Sequence, residues 1–422
     1  MLSQLLNLRI GNDGLELPIS VTNPIVDIIT WPWPKLILTE RFVFLATETA
    51  MYRLDGSWAR TLVFNHSAGS SWDVVDFGSY VLFNNAVETY HIDVDTLLWA
   101  EVDYNIIPQV NSVCDFNGQL FGGGVTSSWY SLDERYAIWG NIGDLTFTTD
   151  TKLEAGNADM RIGRILKCLR SPTGVIFYGE DGIAMLVPSG KSAAFSYVAI
   201  ASFGISNKNL AAGDAEQICI SDDHKLWLIK DGKILELGYE EHLSNLTLSD
   251  VIITHDVKLN EFHISDGVKS YVFTVFGLYE CSKCYTGLIL IDTTYYGCYN
   301  NVGIDNNVYV GSDVLDFNIV AIKNYEFVEL GIETDGNVFS RVKLFYNNGN
   351  DIRYSPWIAI NKSGYGYLGI AANKAIMEFK IVDATELNFT YFTIGIKLTD
   401  NSIQNQQQTI ADRSWNGGQI NR

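Results

Sequence analysis

Val43-Phe-Leu-Ala-Thr-Glu-Thr-Ala-Met-Tyr-Arg-Leu-Asp55 realigns on Val81-Leu-Phe-Asn-Asn-Ala-Val-Glu-Thr-Tyr-His-Ile-Asp93 at an offset of 38 residues. The pair Leu82-Phe83 returns after the same interval as Leu120-Phe121. Further copies read Val175-Ile-Phe-Tyr-Gly-Glu-Asp-Gly-Ile183 and Leu226-Trp-Leu-Ile-Lys-Asp-Gly-Lys-Ile234, with a fainter one at Phe262-His-Ile-Ser-Asp-Gly267. Each is an apolar strand, a turn carrying Gly, Asp or Asn, and a second strand. Self-similarity at about 40–50 residues marks a β-propeller with one four-stranded blade per period. The expected fold is therefore all-β: a β-propeller of about 5–7 blades, with a small C-terminal antiparallel β module. Propellers serve as enzymes and as scaffolds, so the fold alone does not give the function.

Outside the repeat the chain changes character. Residues 1–35 read as an N-terminal docking segment, Leu-rich and then punctuated by Pro18, Pro24, Pro32 and Pro34. Trp31 and Trp33, each followed by proline, are interface candidates there, since proline cannot extend a sheet ladder. The propeller is expected over 36–324. Its insertion at Thr126–Met160 is a candidate binding loop, with Ser128-Trp-Tyr130 able to stack on sugar. From 325 to 400, segments such as Val342-Lys-Leu-Phe-Tyr346 and Phe392-Thr-Ile-Gly-Ile-Lys-Leu398 alternate with period two, as in a β-sandwich or platform. Residues 401–422, rich in Gln, Asn and Gly, read as a flexible polar tail, with Trp415 a third interface candidate.

The net charge is −20 and is unevenly placed: residues 61–150 hold twelve acids and one basic residue, Arg135. Stable nucleic-acid binding requires the opposite sign, clustered Lys and Arg. No stretch is long and apolar enough to span a bilayer, so membrane insertion is not expected. The opening Met1-Leu-Ser-Gln lacks the pattern of a secretory signal. Six cysteines in 422 residues do not make a disulfide framework.

Catalytic signatures do not assemble. Cys281-Ser-Lys-Cys284 has a spacing that zinc accepts, and Cys298 with His263 would have to complete the site. A pair of reduced thiols in a hairpin is the plainer reading, and no cofactor is expected. The histidines follow no hydrolase or metalloprotease order, and propeller glycosidases need convergent acids that sequence cannot place.

Tyr136-Ala-Ile-Trp-Gly-Asn-Ile-Gly-Asp-Leu-Thr-Phe-Thr-Thr149, Glu154-Ala-Gly156 and Ile165-Leu-Lys-Cys-Leu-Arg-Ser-Pro-Thr-Gly-Val-Ile-Phe-Tyr-Gly-Glu-Asp-Gly182 carry a family resemblance, continued by Gly204-Ile-Ser-Asn-Lys-Asn209. Over about residues 40–300 the chain resembles the tail hub or nozzle propellers of short-tailed bacteriophages, including packaged-DNA-stabilising head-completion proteins. The resemblance implies a non-enzymatic virion protein, assembled in the host cytoplasm as a homo-oligomeric ring, commonly a hexamer. Portal and adaptor proteins would lie above it, with fibre, spike or needle proteins around or below. Double-stranded DNA would pass through without being gripped. Asp73, Asp76, Asp93, Asp95 and Asp103 are then candidates for a negatively charged lumen. The alternatives are a receptor- or glycan-binding propeller at the tail tip and, after that, a propeller glycoside hydrolase.

Overall fold

The computed structural model describes the chain except residues 1, 11–14, 19, 26–30, 68–70, 104–106, 127–130, 148–153, 191–193, 302–306, 316, 318–321, 347–350 and 399–422. Ser128-Trp-Tyr130, Trp415 and the tail at 401–422 therefore lie outside the described residues. The chain divides into two compact units. One comprises residues 21–270 and 283–302, the other 1–20, 271–282 and 303–422.

The first unit is a β-propeller. Five antiparallel four-stranded sheets follow one another at residues 35–65, 73–101, 110–159, 165–201 and 211–238. A hairpin of Ile252–Asp256 and Glu261–Ser265 comes next. The last sheet pairs Lys283–Ile291 with Thr294–Asn301, and Val21–Thr22 adds to it in parallel. The first strand of each sheet is innermost: Lys35–Leu38, Asp73–Phe77, Val110–Phe116, Ile165–Ser171, Ala211–Gly213, Ile252–Asp256 and Lys283–Ile291.

Alternation along the strands puts an apolar layer between neighbouring sheets. Phe44, Met51, Phe64, Phe83 and Tyr90 fill the space between the first two. Phe121, Trp139, Phe177 and Ala184 do so between the third and fourth. Leu36, Leu45 and Leu54 pack with Ile289 and Cys298, which closes the ring. Each such side chain contributes about 1.5–3 kcal/mol when fully buried.

The repeated phrase has a structural meaning. In the first two blades it is the hairpin of the second and third strands, Val43–Ala46 with Ala50–Leu54 and Tyr80–Asn84 with Thr89–Asp93. Its terminal aspartate builds the next turn. Asp55 Oδ1 accepts from the Ser57 and Ala59 N–H groups, both at 2.9 Å, and Asp93 Oδ1 from those of Asp95 and Thr96 at 3.1 and 2.8 Å. The fifth copy sits one hairpin later, because Leu226–Lys230 and Lys233–Gly238 are the third and fourth strands of their sheet. All blade hairpins draw on the same turn residues, so the phrase by itself does not say which hairpin it occupies.

The second unit is built on a β-sandwich. One of its sheets runs Arg9–Ile10, Leu15–Glu16, Leu387–Leu398, Lys323–Thr334, Tyr365–Ala372. The other includes Leu2–Leu6, Val308–Ser312, Lys374–Val382, Asn337–Tyr346 and Asp351–Tyr354. Leu8, Leu15, Tyr325, Val342, Met377, Phe379 and Phe389 form its core. The division differs from the sequence expectation of 1–35, 36–324 and 325–400. Residues 1–20 supply sandwich strands, and 271–282 and 303–324 fall in the sandwich unit as well. Period-two alternation marks a strand but not its partner, and these partners lie hundreds of residues away.

Candidate functional site

The inner strands surround a cavity of about 250 Å³ lined by Lys35, Ser71, Lys167, Lys208, Thr254 and Thr286 among others. Lys35 and Lys167 come from the starts of their strands. Lys208 opens a single 3-10 turn, Lys208–Leu210, capped by the Asn207 side chain accepting from the Asn209 N–H at 3.0 Å. Asp73 opens the inner strand of the second sheet and is only 6% exposed. Its Oδ1 accepts from Lys167 Nζ, and its Oδ2 lies 3.4 Å from Lys208 Nζ and accepts from the Val113 N–H at 3.3 Å. Burial alone would raise the Asp73 carboxyl, but Lys167 and Lys208 outweigh it and hold the group below its ordinary range. Lys208 Nζ also donates to the Asn111 carbonyl at 3.1 Å.

Lys35 differs from the other two. Its ammonium donates to Ser71 Oγ at 3.3 Å and lies 5.3 Å from the centre of the Trp33 ring, without a carboxylate partner among the described residues. Burial first, then Lys208 and Lys167, lower its pKa to about 7, with Asp73 opposing. Three lysines thus gather near one carboxylate at the centre of the propeller, and two of them contact it. The cluster is a cationic site inside an acidic protein.

The far ends of the same strands carry the opposite sign. The Glu40 N–H donates to Asp76 Oδ2 at 3.0 Å, and Arg170 bridges Asp115 and Asp214 at 3.7 and 3.2 Å. Asp76 and Asp115 are raised, by burial before any other cause, with Glu40 among the like charges that add to it. The propeller axis is therefore polar, with lysines at the strand starts and carboxylates at the strand ends.

These positions correct part of the sequence reading. Asp73 is not a lumen charge: it is buried and neutralised by lysines. The others do not share one surface role. Asp76 receives the Glu40 backbone, Asp93 builds a turn, Asp95 pairs with Arg41 at 3.0 Å, and Asp103 is exposed. Trp33 is a core residue at 4% exposure rather than an interface anchor. Trp31 is half-buried, its Nε1 donating to the Asp250 carbonyl at 3.0 Å.

The zinc reading finds no support in the placement of the cysteines. Cys284 lies opposite Asn300 and Cys298 opposite Gly287 across a bulged stretch of ladder, so the two thiols sit diagonally and do not face each other. Among the described residues no group of three or more His, Cys, Asp or Glu could hold a metal.

His263 is instead a buried core histidine. It meets Tyr285 edge-on at 4.9 Å, and neither ring nitrogen has a hydrogen-bond partner among the described residues. Burial, then His255, lowers its pKa to about 4 from 6.5. Between those values the unfolded chain binds the proton and the folded chain does not, so stability is lost as the pH drops from 6.5 towards about 4. The loss is expected to reach about 3 kcal/mol. Urea midpoints at pH 7 and pH 5 should differ less in His263→Leu than in the parent; an unchanged difference would refute the assignment.

The sandwich unit has its own distinctive surface. Strand Asn337–Tyr346 alternates, with Val338, Ser340, Val342 and Leu344 buried and the residues between them turned outward. Arg341 lies 4.7 Å from the Tyr354 ring and 4.5 Å from Trp357, and pairs with Glu378 at 2.5 Å. Lys343 is 5.8 Å from Tyr354 and Lys380 is 5.5 Å from Tyr309. Arg341, Lys343 and Lys380 with these rings make a basic aromatic face on the outer side of the sheet, with Glu378 its paired acid.

No protein-family model and no curated protein matches the chain. Solved structures to which the chain is similar include BamB from Moraxella catarrhalis, with 11% identity over 70% of this chain and 95% of its own and TM-score 0.39. Hsv2p from Kluyveromyces lactis has 8% identity over 72% and 100%, with TM-score 0.37. The Pan2 WD40 domain from Neurospora crassa has 10% identity over 66% and 88%, with TM-score 0.40.

The lysine cluster escaped sequence reading. A lysine within an apolar strand, as in Lys35-Leu-Ile-Leu38 or Ile165-Leu-Lys-Cys-Leu169, was the available signal.

Proposed function

We propose that the chain is a structural subunit of a short phage tail, forming a hub or nozzle ring below the portal and adaptor. The observation that carries this reading beyond the sequence resemblance is the basic aromatic face of the sandwich on a chain of net charge −20. Such a face is complementary to the acid-rich 61–150 region of another copy, and contacts of that kind between unlike surfaces build rings when they close. In this reading the DNA passage belongs to the ring of subunits and not to each propeller. Among the described residues no helix is long and apolar enough to cross a membrane.

Native mass measurement with imaging of the same sample tests the proposal. A closed ring is expected, alone or with portal and adaptor, and Arg341→Glu with Lys380→Glu should dissociate it. A chain that stays monomeric under every condition, or that binds a glycan array, would refute it.

A further inference from the structure

We infer that the cavity on the propeller axis is a binding site for a small tetrahedral oxyanion, phosphate or sulfate, held by Lys35, Lys167 and Lys208. The inference stands on the propeller unit alone and does not depend on ring formation. Three lysines line one cavity, and the carboxylate that meets them among the described residues, Asp73, is already engaged by Lys167, Lys208 and the Val113 N–H. Lys35 is left with a neutral hydroxyl and a ring face. A buried cationic surplus of this kind is costly unless a counter-charge accompanies it.

The backbone holds the donors in place. Lys208 is fixed by its capped turn and its bond to the Asn111 carbonyl. Lys35 and Lys167 sit within the ladders of their sheets. Ser71 Oγ, 3.3 Å from Lys35 Nζ, adds a hydroxyl at the cavity wall. A tetrahedral oxyanion offers several acceptors to these separated donors, and lysine suits it as a compact point charge.

Binding should place a proton on Lys35. The charged groups facing it are Lys208, Lys167 and Asp73, and its pKa of about 7 rises when an anion arrives. Calorimetry with inorganic phosphate is the test, run at pH 8 in buffers of different ionisation enthalpy, with sodium chloride at matched ionic strength as reference. Saturable binding with proton uptake is expected at pH 8, and uptake should vanish near pH 6, where Lys35 is already protonated. Lys35→Met should weaken binding by about 10–100-fold, the worth of one hydrogen bond to a charged group, and abolish the uptake. Methionine keeps the stem and removes an unpaired buried charge, so this variant should fold. Absence of saturable binding to the unmodified chain overturns the inference, as does unaltered affinity in Lys35→Met. If Lys208→Met folds, it must weaken binding comparably; wild-type affinity there would also overturn it.

Discussion

An Asp73→Asn protein is expected to lose about 3–5 kcal/mol of propeller stability, the usual consequence of removing one partner from a buried ion pair. The substitution keeps the shape and an acceptor for the Val113 N–H, but deletes the carboxylate that, among the described residues, lies between Lys167 and Lys208 beside Lys35. Two further measurements separate this cause from lost packing. Adding Lys167→Met to Asp73→Asn should recover a large part of the loss, because both residues act through one contact. Raising the pH should help the single variant more than the parent. Lys35 and Lys208 are both lowered, chiefly by burial, and the neutral amines that form as pH rises no longer repel. Urea unfolding at pH 7 and pH 9 reads all three effects. A loss under about 1 kcal/mol would mean the cluster is better solvated than its burial implies.

The cluster also shows where sequence reading stops. The blade rhythm was legible because each hairpin is local: strand, turn and strand lie within about fifteen residues, and turn chemistry is written in Asp, Asn and Gly. Asp73 and its lysines are 94 and 135 residues apart, and no local pattern joins them. The acidic skew of 61–150 even concealed the pairing, since Asp73 looked like one more surface acid. The cysteines are a similar case: a Cys-x-x-Cys spacing says nothing about which residue lies across the ladder, and the structure sets Cys284 against Asn300. The entry of Leu2–Leu6 and Leu15–Glu16 into the sandwich is likewise non-local, and the prolines that follow suggested a separate docking segment. Trp33 shows the limit of composition, because a Trp-Pro pair reads alike whether it meets a partner or its own core.

Gly204→Ala should be among the most damaging single-methyl additions in the protein. A Cβ at 204 would lie 2.1 Å from the Gly179 carbonyl oxygen, 2.3 Å from that of Glu180 and 2.4 Å from the Glu180 carbonyl carbon. All three are backbone atoms, so no rotamer change relieves the clash. The turn they belong to cannot easily retreat. Glu180 N–H donates to the Arg164 carbonyl at 3.0 Å, Asp181 N–H to that of Ile162 at 2.9 Å, and Ile205 N–H to that of Gly179 at 3.0 Å. This gives the Gly179-Glu-Asp-Gly182 phrase a physical reason: it is a stitched corner against which Gly204 lies flat. The expected loss is about 3 kcal/mol, the upper part of the range for overpacking. Gly56→Ala, with nothing within 4 Å of the added carbon, should stay within about 0.5 kcal/mol. Thermal melts of the two variants side by side provide the check, and equal melting temperatures would sink the argument. The damage should also reach the axis. Ser206, Asn207 and Lys208 follow directly on Gly204, so moving it shifts the Lys208 ammonium against Asp73. Weakened phosphate binding in Gly204→Ala, measured below its unfolding transition, would tie the corner to the cationic cavity.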